Sequence, residues 1–376
     1  MNIVEITAAS LRFADALPEA APEDGFVWIY LDRAELPALA AQVQQAAQRL
    51  GGSALLDVHL ADLASELHPS NYDATSVYDL IIFRRLGNPS EIQRDDQPGD
   101  LALPANARDA FARIHSYPVG FALFDKLLIS VHPAGCNAAQ TLIARLLADA
   151  KLSVEAVVGA SRNRVPQNPV DLTLRMINAM VDSYLELRKD LSAALEQVQR
   201  QLLMPRPKRS AWQSVIHARR RLQLLEDLCE EQQDAMQEWL DTLRELPLST
   251  YAADAALAQG RRDQLMARAR DTIEHIERVL RHARRLEQSA EAAVQIHFGA
   301  QGQRTNDIMR ILTAITAVFL PLNLFTGFFG MNFEQLPLIH SAEGMWAALA
   351  LLTLLALGIL ALFWRWGFIS EPKHDP

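Results

Sequence analysis

Cysteine is nearly absent: the 376 residues hold only two, Cys136 and Cys229, and no CxxC pair. That excludes a disulfide scaffold and a thiolate zinc cluster, and it fits a reducing compartment for most of the chain. A basic excess is missing too. Lys and Arg number 36 against 45 Asp and Glu, a net charge of −9, which argues against nucleic acid as a partner. HExxH, a P-loop lysine motif and GxSxG are all lacking, so nothing points to a metalloprotease, an NTPase or a serine hydrolase. The opening residues, MNIVEITAAS, have neither the basic region nor the apolar run of a secretory signal. No cofactor is expected.

Apolar residues are plentiful, at 50%, far above the range of disordered chains. They are unevenly spread. From Asn306 onward there are three basic residues (Arg310, Arg365, Lys373) and five acidic ones (Asp307, Glu334, Glu343, Glu371, Asp375). The preceding part therefore carries 33 basic and 40 acidic residues. The length also exceeds what one soluble core of roughly 250–300 residues sustains.

Two stretches without formal charge stand near the C-terminus, Ile311–Phe329 and Met345–Trp364. Nineteen or twenty residues at about 1.5 Å each match the hydrocarbon thickness of a bilayer. Arg304 and Arg310 precede the first span, and Arg365 and Lys373 follow the second. The loop 330–344 has no Lys or Arg. The positive-inside rule then puts both termini in the cytoplasm and the loop outside. The second span is aliphatic. The first contains Thr313, Thr316, Pro321, Asn323, Thr326 and Gly327. Asn306, Met309, Thr313, Thr316, Leu320, Asn323 and Gly327 are spaced 3, 4, 3, 4, 3, 4, which puts them on one stripe of a helix. Spacing alone leaves two readings open, a helix–helix seam and a pore lining, and two spans cannot enclose a pore without further copies.

Upstream, Phe26–Asp32 and Val77–Leu86 read as strands, as do GFALF and KLLISVH within Pro118–His132. Leu36–Leu50 reads as a helix stopped by Gly51–Gly52, Ala54–Leu67 as a second, and Ala138–Ala150 as a third. The expectation is an α/β unit with a small sheet over 1–165. Two long helices follow over 166–248, the first marked by Tyr184, Leu187, Leu191, Leu195, Val198 and Leu202. A third, 249–329, has no proline before Pro321 and runs into the first span. The remaining segments are an outer loop 330–344, a second span 345–364 and a tail 365–376. Gly299 and Gly302 suggest a hinge.

After the first span comes Gly330-Met331-Asn332, within PLNLFTGFFGMNFEQLP. This resembles the CorA family of divalent-cation channels, whose signature is GMN at the outer end of the first of two C-terminal spans. Asn306, Met309, Leu312-Thr313, Phe319 to Leu322, Gly327, Glu334 and Pro337 stand at the family's relative positions. The layout is also similar: an α/β cytoplasmic domain, a long helical stalk and two transmembrane helices. The resemblance implies a homopentamer in the inner membrane, in contact with lipid, that moves Mg2+, with Co2+, Ni2+ or Zn2+ as alternative ions. It implies a selectivity filter of Gly330, Met331 and Asn332, with Asn332 and Gly330 meeting the ion. It implies a pore lined by Asn306, Met309, Leu312, Thr313, Thr316, Leu320, Asn323 and Gly327, with Met309, Leu312 or Leu320 at constrictions and Asn306 at the inner mouth. Glu334 would concentrate cations at the entrance. Transport would follow the ion's gradient or be proton-coupled.

The chain departs from the family pattern in its tail, WRWGFISEPKHDP, which lacks the usual basic cluster, and in Leu336, where methionine is common. A ZntB-like zinc branch shares the fold and often replaces the middle residue of GMN, so Met331 favours magnesium. A coiled-coil scaffold merely anchored by its spans is the reading from another class. Asp95-Asp96 reads as a solvated loop pair. His275 and His282 read as stalk-surface or interface residues, and His340 as a candidate for a zinc or cobalt preference.

Overall fold

The computed structural model describes residues 1–7, 10–87, 103, 105–134, 136, 142–147, 165–204, 207–247, 255–331 and 342–365. They divide into two compact units, Met1–Ala293 and Val294–Pro376.

The first unit begins with strands β1 (Asn2–Thr7), β2 (Leu11–Ala14) and β3 (Gly25–Asp32). Helices α1 (Leu36–Gly51) and α2 (Asp57–Ala64) follow, then β4 (Asn71–Ala74), β5 (Asp79–Leu86), α3 (Ala105–Ala112), β6 (Ser116–Leu123) and β7 (Leu127–His132). The sheet is larger than the sequence suggested. Its seven strands run in the order β2-β1-β3-β7-β6-β5-β4. Only β3 and β7 pair in parallel, Val27 opposite Leu127 through Asp32 opposite His132.

Central strands are apolar because both sheet faces are covered. Every residue of β7 is buried. On one face Val27, Ile29 and Leu31 pack with Val43, Ala46, Ala47 and Leu63 of α1 and α2. The helices sit close to the strands: a Cβ on Gly120 would lie 2.3 Å from a Leu63 methyl, so any larger residue there would have to displace Leu63. On the other face Trp28 Nε1 donates to Ser130 Oγ at 2.8 Å, and Ser130 Oγ lies 2.9 Å from His132 Nε2. α1 ends where Gly52 turns left-handed at φ 83°.

Two long helices come next, α4 (Pro169–Leu202) and α5 (Arg209–Glu245). α4 starts sharply: Asn168 Oδ1 accepts from the Asp171 amide at 2.7 Å, with Pro169 in the first turn. Tyr184, Leu187, Leu191, Leu195, Val198 and Leu202 are all buried. Gln232 of α5 donates to Tyr184 Oη at 2.7 Å. α6 (Ala255–Phe329) is one helix of 75 residues, roughly 110 Å at 1.5 Å per residue. Ile273, Ile276, Leu280 and Ala283 are its buried face in the first unit. The helix continues regularly through Gly299 and Gly302, so the proposed hinge is not a break in this conformation.

The second unit holds the end of α6 and α7 (Ala342–Arg365). Both helices contain stretches long and apolar enough to cross a membrane, within 256–329 and 346–365.

Candidate functional site

The last turns of α6 divide into strips of different character. Asn306, Met309, Leu312, Thr313, Thr316, Leu320, Asn323 and Gly327 are all exposed. Met309 is 55% and Leu320 67% accessible. Arg310, Ala314, Ala317, Val318, Pro321, Leu322, Phe325 and Phe329 are covered to differing degrees, Ala314 most of all at 7%. At about 100° per residue, the two groups lie on opposite sides of the helix. Between them runs an apolar strip, Ile308, Ile311, Ile315 and Phe319, exposed and spaced 3, 4, 4. The sequence reading passed over this third strip, although its spacing was legible. Leu312, which entered only through the resemblance, lies on the polar side.

The threonines turn their hydrogens inward. Thr313 Oγ1 donates to the Met309 carbonyl and Thr316 Oγ1 to the Leu312 carbonyl, each at 2.8 Å. Thr326 Oγ1 donates to the Asn323 carbonyl at 3.1 Å. With the proton engaged by the helix backbone, each hydroxyl offers only oxygen lone pairs outward. No formal charge stands between Ile311 and Phe329.

The helix closes at Gly330. Its amide donates to the Thr326 carbonyl at 2.9 Å, and the Met331 amide lies 3.4 Å from the Phe328 carbonyl. A Cβ on Gly330 would sit 3.0 Å from the Thr326 oxygen, tighter than ordinary contact. Met331 is exposed. Asn332, Glu334, Leu336, Pro337 and His340 lie outside the described residues, as do Asp95 and Asp96.

In the first unit the stalk histidines serve as inter-helix contacts. His275 lies 3.4 Å from Asp182 and 3.7 Å from Asp271. His282 Nε2 lies 3.2 Å from Ser192 Oγ. Cys229 is buried, and that burial, followed by Glu226 and Glu230, pushes its thiol up to about 12. Such a thiol is inert. Among the described residues no group of three or more His, Cys, Asp and Glu could hold a metal ion.

The sequence matches the CorA-like Mg2+ transporter protein family over residues 23–365. It is similar to the cobalt/magnesium transport protein CorA of Thermotoga maritima, with 24% identity over 192 residues. That match covers 51% of this chain and 50% of the relative, so it spans about half of each. The fold is similar to the complete structure of the CorA magnesium transporter from Methanocaldococcus jannaschii, with a TM-score of 0.70, 17% identity and 98% of both chains covered. It is also similar to the ZntB cytoplasmic domain from Vibrio parahaemolyticus, with a TM-score of 0.52 and 12% identity, over 81% of this chain and 98% of that one.

Proposed function

We propose, from the premise that this chain belongs to the CorA-like Mg2+ transporter family, that it carries divalent cations, Mg2+ foremost, across the inner membrane. The observation that supports this most is the sidedness of α6. Its polar strip faces away from the covered side and presents oxygen acceptors. A hydrated cation turns water hydrogens outward, so acceptors without charge suit it. Mg2+ gives up water reluctantly, and conduction needs sites that capture and then release.

One strip cannot enclose a pore, so copies must gather around an axis with their strips inward. The family resemblance implies five. Asn332, with Gly330 and Met331, then forms the outer ring that selects the partly hydrated ion. Met309, Leu312 and Leu320 narrow the path with apolar rings that can exclude water. Thr313, Thr316, Asn323 and Gly327 line it between them, and Asn306 marks the inner mouth. Glu334 draws cations to the outer entrance. The apolar strip suits contact with lipid or a neighbouring helix. Both termini are cytoplasmic by the flanking charges. Gating follows if intracellular cations bind between the acidic bodies and offset their repulsion.

The test is flux into proteoliposomes loaded with a metal-sensitive dye, comparing Mg2+ and Zn2+, with Asn332→Ala beside the wild type. Magnesium flux lost in the variant is the expected result. Wild-type flux in the variant would remove Asn332 from the filter. Zinc flux that rises with a proton gradient, without magnesium flux, would assign the chain to zinc. Flux indifferent to magnesium on the cytoplasmic side would overturn the gating scheme.

A further inference from the structure

In the first unit α4, α5 and α6 form a bundle in which each helix touches the other two. Gln232 of α5 meets Tyr184 of α4 at 2.7 Å, Arg284 of α6 meets Glu226 of α5 at 2.7 Å, and Gln199 of α4 meets Ser289 of α6 at 2.9 Å. In a three-helix bundle the outer furrow between two helices lies across from the third. The furrow between α4 and α6 therefore faces away from α5.

That furrow opens into a cleft of about 500 Å3, lined by the cations Arg188, Lys189, Arg278, Arg281 and Arg285. Glu196 is the single carboxylate among the described residues of the lining. His282, also in the wall, is held below its ordinary range by burial and by the charges of Arg188 and Arg285.

The outer face of α5 has the opposite sign. Asp227, Glu230, Asp234, Glu238, Asp241 and Glu245 are spaced 3, 4, 4, 3, 4, which stacks six carboxylates along one side. The Asp227 carboxyl is raised by burial and by the crowding of Glu230 and Glu226.

Cross-bundle pairs set the heights of these two features. α4 and α6 run parallel, with Ser192 level with His282 and Gln199 with Ser289. α5 runs antiparallel to α6, with Gln233 level with Glu277 and Glu226 with Arg284. Counting along these pairs, Asp234 lies level with position 276, Glu230 with 280 and Asp227 with 283, so Arg278, Arg281 and Arg285 stand within two residues, about 3 Å, of those heights. Read antiparallel, the acidic steps of 4 then 3 run beside basic steps of 3 then 4, so the two rows share the same seven-residue span and differ by one residue at the middle pair.

We propose that the acidic ridge of α5 in one copy seats in the basic α4–α6 cleft of the next, pairing Asp234, Glu230 and Asp227 with the next copy's Arg278, Arg281 and Arg285. This deepens the ring assembly proposed above and rests on it. Ridge and cleft are different surfaces of one chain, so the contact is head-to-tail and closes into a ring rather than a two-fold dimer. Rotation about an axis along the stalk keeps every residue at its height, so complementary charges must lie at nearly the same level, and these do to within about 3 Å, which the long arginine side chains span. Glu230 already meets Arg284, and Arg281 meets Glu277 at 3.0 Å. The outer pairs, Asp234 with Arg278 and Asp227 with Arg285, therefore contribute most to the new contact.

The test places cysteines at the two ends of one pair, Asp234→Cys with Arg278→Cys, in the full chain in detergent. Mild oxidation should give a ladder of disulfide-linked species on a non-reducing gel, collapsing on reduction. Adding Arg285→Glu should abolish the ladder, and further adding Asp227→Lys should restore it. An assembled wild type whose cysteine variant forms no ladder would overturn the pairing while leaving the ring intact. A wild type that is monomeric by native mass spectrometry would overturn both. Inorganic tripolyphosphate is the competing occupant. If it binds the wild type, is lost in Arg278→Glu/Arg285→Glu, and leaves assembly unchanged, the cleft is an anion site and the proposal falls.

Discussion

Asp171 of α4 reaches Arg268 of α6 across the top of the bundle, its Oδ1 3.2 Å from the Arg268 Nε. The same carboxylate accepts from Arg175 one turn away at 2.9 Å, and it is only 8% exposed. One buried anion therefore serves two guanidinium groups on two helices. Asp171→Asn removes the charge but leaves both cations, and breaking a buried pair in this way costs about 3 kcal/mol. The expected outcome is a clear drop in the melting temperature of the detergent-solubilised chain. An unchanged melting temperature would show that water supports both arginines.

His132 predicts an acid weakness. Burial, with Arg85 and Arg33 nearby, lowers it to about 3, while the unfolded chain takes its proton near 6.5. The unfolded state then binds more protons between those values, so stability falls as pH drops below about 6.5, by up to ~1.4 kcal/mol per pH unit. His132→Gln should flatten that slope between pH 6.5 and 4 in pH-dependent melts. Equal slopes in the two proteins would refute the assignment.

Asp79 acts in the other direction. Burial raises its carboxyl to about 6, so the folded state holds a proton more tightly than the unfolded one near 3.8. The ionised form opposes folding above pH 6. Asp79→Asn should melt higher than the wild type at pH 8, with the gap closing by pH 4. A gap independent of pH would point to packing rather than charge.

At the end of the first span, Gly330→Ala places a methyl group 3.0 Å from the Thr326 carbonyl oxygen. The last turn must shift, and the filter proposed beyond it shifts too. Mg2+ flux should fall steeply while expression and assembly stay normal. Wild-type flux would mean that the turn adjusts without disturbing the filter.

Thr316→Val keeps the shape of the side chain and removes one outward oxygen. If that oxygen accepts from the hydration shell of the ion, its loss is worth ~1 kcal/mol, roughly fivefold in flux. A variant with wild-type flux would take Thr316 off the conduction path.

Much of the fold was legible because its signals are local. FVWIYLD and the run ending in LIIFRRL are strands buried on both faces, and their unbroken apolar texture shows it. β4, NYDA, is a polar edge strand exposed on all but Tyr72, and its pairing with β5 leaves no trace in composition. β1 and β2 were missed for a similar reason: both are short, and β2 is never fully buried. The parallel joint of β3 and β7 links Val27 to Leu127, a contact between residues a hundred positions apart that no local pattern encodes.

The two uncharged spans, the polar stripe along the first and the GMN tripeptide that ends it could be read from the residues in order, because helical periodicity and hydrocarbon length are properties of neighbouring residues. Which side of α6 is covered, the one bearing Ala314, and that a basic cleft and an acidic ridge stand at nearly the same height, follow from the tertiary structure alone. Burial and height depend on which helices pack together and in which direction, and that is set by contacts between segments distant in the chain.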